Sequence, residues 1–291
     1  MRFRPLAAWS CALALVIACA PAALVNKPNE AVGSDDVAAA DASKPKTHDG
    51  GISESYDDAS VVDDAPRPQG DAGAQWNDVA SLHDKALVAA LLARIGNHHN
   101  VGYTQARGML FGVTGQLDFV GNQFECLYTG KLGTPDGSNA PDGFNTEHTW
   151  PQSLGAQNDP AKSDLHHLFP ATAEANNARG NYLFGMSDCD KSKSCSFSQA
   201  GSELGPQSGG SETVFEVRPA RRGDVARAHF YFSVRYSIPI TVIEEPTLRQ
   251  WNNEDPPDDR ERLRNDAIEA LQKNRNPFVD RPEFVDQISD F

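Results

Sequence analysis

Residues 143–151, GFNTEHTWP, and 163–182, SDLHHLFPATAEANNARGNY, decide how this chain is read. Glu147 followed by His148 sets a hard oxygen ligand beside a base that titrates near neutrality. Neighbouring side chains on a regular strand leave on opposite faces, so both serve one site only at a strand end or bend. Gly143 before the pair and Pro151 after it frame such a place. In the second stretch Pro170 can open a helix, Thr172 can cap it and Gly180 can end it. Asn176 and Asn177 lie inside that helix although asparagine is a poor helix former. Asn176 reads as a ligand only if it faces the Glu147–His148 pair.

Outward from this centre, residues 78–95 (DVASLHDKALVAALLARI) carry a helical apolar stripe at Val79, Leu82, Leu87, Ala90, Leu91 and Ile95, with Asp78 as N-cap. His98 and His99 are expected to end that helix, where a cation complements its dipole. Further helices are expected at 223–236 and 258–272, and strands around 126–130 and 145–149. Val225, Phe232 and Tyr236 read as core at near-helical spacing. The folded domain is expected to span 76–291 in an α+β arrangement.

The N-terminal quarter differs in kind. Arg2 and Arg4 precede an apolar run from Leu6 to Ala18, too short for a comfortable membrane span and laid out like an export signal. Val16-Ile17-Ala18-Cys19 matches a lipoprotein processing box, which makes residues 1–19 the signal and Cys19 the lipidated residue. Cleavage after Ala20 or Ala22 is the other reading. Residues 20–75 hold 11 acidic against 4 basic residues and one aromatic, Tyr56, without apolar periodicity. Such a segment buries too little to offset its ordering entropy and is expected to be a disordered tether. The expected location is therefore outside the cytoplasm, either as a cell-envelope lipoprotein or extracellular, with the membrane touched only through Cys19.

The 291 residues are 39% hydrophobic and 23% charged, which excludes a polytopic membrane protein, a collagen-like chain and a disulfide-dense miniprotein. The formal charge of -14 means that nucleic acid is not bound through the net field and needs a local basic patch or a metal. Cys189 and Cys195 can close a small loop in an oxidising compartment, which leaves Cys126 unpaired.

Four stretches together resemble the bacterial endonuclease I family, extracellular or periplasmic nucleases of the ββα-metal superfamily. They are FNTEHTWPQS at 144–153, SDLHHLFPATAEANNARGNYLFG at 163–185, FEVRPARRGDVARAHFYFSVRY at 215–236, and the run from Trp251 through EDPPDDRERLRNDAI to QKNRNPFVD ending at Asp280. The resemblance implies a ββα-metal (His-Me) finger core embedded in a mixed, helix-rich domain. It places His148 at the general-base position and Glu147 and Asn176 at the metal-ligand positions. A carboxylate with an amide oxygen suits Mg²⁺, Mn²⁺ or Ca²⁺ and is too oxygen-rich for zinc. The implied substrate is DNA and by extension RNA, cut with little sequence specificity to 5′-phosphate ends. A histidine base must be neutral, so activity is expected to rise through about pH 6–7.

Weaker expectations surround this core. Arg179, one helical turn past Asn176, reads equally as a phosphate contact or as an ion pair holding the helix. Arg221, Arg222 and Arg275 read as phosphate contacts, with Arg218, Arg227 and Lys273 in the same cluster, while Arg262 and Arg264 read as a solvated helix face. His166 and His167 read as packed histidines shaping the site, and Asp164 as a brace. No protein partner is expected. A metalloprotease lacks its signature, since no His-Glu-x-x-His occurs. A non-catalytic surface lipoprotein that kept the fold would show a broken triad, and Glu147, His148 and Asn176 are all present.

Overall fold

The computed structural model describes residues 72–189 and 195–291. The signal, Cys19 and nearly all of the 20–75 segment lie outside the described residues. Trp76 is already buried at the end of a 3₁₀ turn spanning Ala74–Trp76. Helices α1 (Asp84–Ile95) and α2 (Tyr103–Leu110) follow. Three short strands then form an antiparallel sheet in sequence order: β1 (Phe119–Val120), β2 (Gln123–Glu125) and β3 (Leu132–Gly133). Gly133 is required there, because a Cβ would stand 2.2 Å from the Phe124 ring.

The centre of the fold is a strand pair and the helix that follows it. β4 (Phe144–His148) pairs antiparallel with β5 (Leu168–Thr172), in register from Phe144 opposite Thr172 to His148 opposite Leu168. α3 (Ala173–Arg179) starts directly after β5. Thr172 Oγ1 accepts the Ala175 N–H at 3.3 Å, and Gly180, at φ +52°, ends the helix with its N–H on Asn176 O. Both ends of α3 therefore carry the residues that the sequence marks as cap and stop.

A third, four-stranded sheet runs β6 (Leu183–Phe184), β9 (Thr213–Glu216), β8 (Ser202–Pro206), β7 (Phe197–Gln199), parallel only between β6 and β9. Cys189 and Cys195 beside it are joined by a disulfide, and Cys126 is free and buried. Helices α4 (Arg222–Tyr236), α5 (Glu245–Glu254), α6 (Asp259–Gln272) and α7 (Pro277–Asp280) complete the domain. α4 is buried on every side from Gly223 to Val234, and therefore forms the axis of the core. Its polar residues are paired: Arg227 forks onto Glu261, Asp224 meets Arg221, and His229 bonds Thr149 O.

Four expectations need correction. The first helix begins at Asp84, not Asp78, because the Asp84 N–H goes to Gln287 O and its carboxylate accepts the Ser289 N–H. Asp78 instead pairs with Arg94. Residues 126–130 form a turn, and the partner of the 145–149 strand is β5. Pro170 opens no helix. It sits within β5 opposite Thr146, with its carbonyl turned outward to take the Leu127 N–H at 2.8 Å, so its missing donor costs no strand bond. His98 lies beyond the end of α1 and packs inward, 3.9 Å from Asp164 and bonded by Arg235.

Glu125 on β2 makes a pH prediction. Burial works to raise its carboxyl, but the Arg221, Arg218 and Arg260 guanidinium groups overcome that and hold it at about 2 against an ordinary 4.5. Its folded-state value is depressed, so the stabilisation is present above pH 4.5 and is lost as pH falls toward 2. The urea midpoint should fall across that window, and Glu125→Gln should flatten that part of the fall. An unchanged slope in the variant would show that Glu125 is not responsible.

Candidate active site

Glu147 and His148 end β4 and leave it on opposite faces, as a strand requires. The Glu147 side chain is 2% exposed; its Oε1 accepts the Tyr128 hydroxyl at 2.7 Å and lies 3.4 Å from Arg179 Nη1. Its Oε2 has no hydrogen bond among the described residues. Burial pushes this carboxyl up to about 7 against the pull of Arg179 and Tyr128.

The His148 ring packs 5.5 Å from the Tyr103 ring and 5.4 Å from the His167 ring. Its Nε2 is 3.0 Å from Lys162 O. A carbonyl only accepts, so Nε2 carries the proton and Nδ1, 3.4 Å from Gln152 Nε2, is the basic nitrogen. Burial, with His167 alongside, lowers this imidazole to about 3. The sequence expectation of a ring that becomes neutral through pH 6–7 is thereby corrected: the ring is already neutral well below that range.

Asn176 reaches β4 from α3. Its Nδ2 donates to Asn145 Oδ1 at 2.6 Å and to Thr146 O at 3.1 Å, which fixes the amide and leaves Oδ1 without a protein partner among the described residues. Asn145 and Glu147 share a face of β4, so Asn176 stands on the Glu147 side of the strand. Asn177 is exposed, on another face of α3. The donor set fits a hard divalent cation: one carboxylate oxygen and one amide oxygen, both unspent, with the amide held in orientation by its own N–H bonds.

Arg179 is 2% exposed and donates to His148 O at 3.3 Å and to Thr149 O. It is the ion-pair holder of the site, tying α3 to the end of β4. The other expected phosphate contacts are likewise turned inward. Arg221 pairs with Glu125 and Asp224, Arg222 with Glu216 and Glu254, and Arg275 with Asp266, Glu269 and Asp280. Arg218 pairs with Glu125 and Arg227 with Glu261, which leaves Lys273 as the exposed cation of that cluster. In a chain with 40 acidic against 26 basic residues, a guanidinium meets a carboxylate before it meets solvent. Arg264 is also no surface residue: it bonds Asp118, Leu165 O and Leu168 O beneath β5.

The neighbouring histidines serve the frame. His167 bonds Ala161 O at 2.7 Å and His166 bonds Asn274 O at 3.3 Å. Asp164 accepts from Tyr231, Tyr236 and Gln272, each at 2.8 Å, and so anchors the loop whose Lys162 carbonyl orients His148. Sequence reading missed Tyr128, Gln152, Asn145 and Tyr103. Asn145 was within reach, because two-residue periodicity from Glu147 points to it. Tyr128 and Tyr103 come from distant segments and carry no local signal.

An imidazole held as a free base at the end of a strand, with two unspent oxygen ligands on that strand's other face and a short helix following the strand pair, is a set of groups suited to hydrolysis. The chain belongs to the endonuclease I family: the family described as Endonuclease I matches residues 97–283. It is 32% identical to an extracellular ribonuclease of Bacillus amyloliquefaciens, over 76% of this chain and 80% of that protein. It is 35% identical to an extracellular ribonuclease of Bacillus subtilis, over 57% of this chain and 62% of that one. A periplasmic deoxyribonuclease of Aeromonas hydrophila is 29% identical over 41% of this chain and 48% of its own length.

Proposed function

We propose that the protein is a divalent-metal-dependent endonuclease of the ββα-metal type, hydrolysing phosphodiester bonds of both DNA and RNA outside the cytoplasm. The observation that carries this reading is the His148 ring, held by Lys162 O with Nδ1 left basic, one residue along β4 from Glu147, whose unspent oxygen shares its side of the strand with that of Asn176. Family membership supports nuclease chemistry, and relatives named for ribonuclease and for deoxyribonuclease activity support a site indifferent to the sugar. Their extracellular and periplasmic names support export, with Cys19 as the proposed lipid anchor. Retention of all three site residues disfavours the non-catalytic alternative.

In the proposed reaction, His148 Nδ1 takes a proton from a water molecule as its oxygen attacks phosphorus in line. The bond from phosphorus to the 3′ oxygen breaks, and the departing oxygen is protonated from solvent, giving 3′-hydroxyl and 5′-phosphate ends. A cation such as Mg²⁺, held by Glu147 and Asn176, supplies charge neutralisation at the phosphoryl group. Glu147 and Asn176 keep their orientation through Tyr128, Arg179 and Asn145. Lys162 and Arg107, whose charges lie 4.8 Å and 5.6 Å from the Tyr103 ring centre beside His148, are proposed to meet the flanking phosphates.

Supercoiled plasmid and a structured RNA, each with Mg²⁺ and with excess EDTA, test the reading. Both should be cut with Mg²⁺ and neither with EDTA, and the RNA fragments should carry 5′-phosphates. RNA fragments ending in 2′,3′-cyclic phosphate would show the 2′-hydroxyl, not water, to be the nucleophile, and would overturn it.

A further inference from the structure

Two residues beyond His148 the chain enters a cavity of about 180 Å³ that the reaction above leaves unused. Its lining includes Trp150, Tyr182, Ile238, Arg179, His229 and Glu244. Arg179 belongs to both places, with its Nη atoms on the carbonyls of His148 and Thr149 while Nε has no hydrogen bond among the described residues. At the cavity wall Glu244 is 5% exposed, and its Oε1 takes the Phe184 N–H at 2.8 Å. Its Oε2 has no hydrogen bond among the described residues; His229 Nδ1, itself unpartnered, stands 4.0 Å away. A buried carboxylate with an unspent oxygen calls for an N–H donor.

The geometry points to a nucleobase pocket: a base next to the scissile phosphate leaves its stack and enters the cavity, its ring against Trp150 and Tyr182 and its N–H edge on Glu244. The inference rests on the nuclease reading above. A volume below the roughly 300 Å³ of drug-sized sites suits a single ring system. The lining is mainly apolar and aromatic, as base stacking requires, with Tyr182 44% exposed and Trp150 stacked on Phe232 at 4.7 Å. Guanine fits best, because its N1–H and N2–H donors lie side by side and both can turn to the one unspent oxygen, Oε1 being taken by the Phe184 N–H. An unpaired base is needed, which favours single strands and loops over duplex and biases the cut without imposing a sequence.

The test is binding of GMP, AMP and UMP to the full chain in EDTA, followed by NMR of the tryptophan indoles. GMP should bind tightest. Glu244→Gln should weaken it about tenfold, the scale of a hydrogen bond to a charged group. Tyr182→Ala, an exposed change that leaves the fold intact, should weaken all three. Equal binding of the three nucleotides, unmoved by either variant, would overturn the pocket. Plasmid cleavage with Mg²⁺ separates the two readings: cleavage without nucleotide binding rejects the pocket alone, and nucleotide binding without cleavage rejects the nuclease, and with it the pocket's place beside a scissile phosphate, leaving only a nucleotide-binding cavity.

Discussion

Replacing His148 by alanine is expected to lower the cleavage rate by at least about a hundredfold, the scale of losing a general base, while metal and nucleic-acid binding stay nearly intact. The ring leaves β4 on the face opposite the proposed ligands and shares none of their contacts: it is held by Lys162 O and Gln152, whereas Glu147 and Asn176 are held by Tyr128, Arg179, Asn145 and Thr146 O. Glu147→Ala and Asn176→Ala should therefore lose rate together with metal affinity, and higher metal concentration should partly restore them. Titration calorimetry with Mn²⁺ beside single-turnover rates separates the two kinds of loss. If His148→Ala weakens metal binding as much as Glu147→Ala, the ring is a ligand and the roles are wrong. If it cuts at the normal rate, the site lies elsewhere.

The second large effect belongs to Arg179. Arg179→Met should destabilise the fold by about 3–5 kcal/mol, because it removes the partner of a carboxylate that is itself almost wholly buried. The same change frees the carbonyls of His148 and Thr149 that the guanidinium ties to α3. Adding Glu147→Gln to it removes the orphaned charge and should recover much of the loss, a coupling that urea midpoints of the two single variants and the double variant would read directly. A loss below about 1 kcal/mol in Arg179→Met would show that the pair is solvated and does not hold the site together.

Much of the site was legible because its carriers are local. Glu147 and His148 are adjacent, and Asn176 lies between a Thr172 cap and a Gly180 stop that work in the structure as they read in the sequence. The helices over Arg222–Tyr236 and Asp259–Gln272 were legible for the same reason, as periodicity and a cap such as Asp258, which accepts the Glu261 N–H, act within one turn. Strand pairing was not. The sequence offered residues 126–130 as the companion of the 145–149 strand and Pro170 as a helix opener, whereas 126–130 form a turn and the proline-containing β5 pairs with β4.

By itself the sequence determined the chemistry on offer: a base, a carboxylate and an amide oxygen, in an order that resembles one nuclease family. It determined those residues through spacing that a single helical turn or strand end enforces. Only the tertiary structure decided which charges are spent. Arg221, Arg222 and Arg275 read as phosphate contacts along the chain, and Arg179 equally as a phosphate contact or an ion pair, yet each meets a carboxylate, several of them from distant segments. Only the tertiary structure also decided that His148 is neutral well below its ordinary range and that Glu147 is pushed up to about 7. Desolvation depends on what covers a side chain in three dimensions, and residues as remote as Tyr103, Tyr128 and His167 supply that cover.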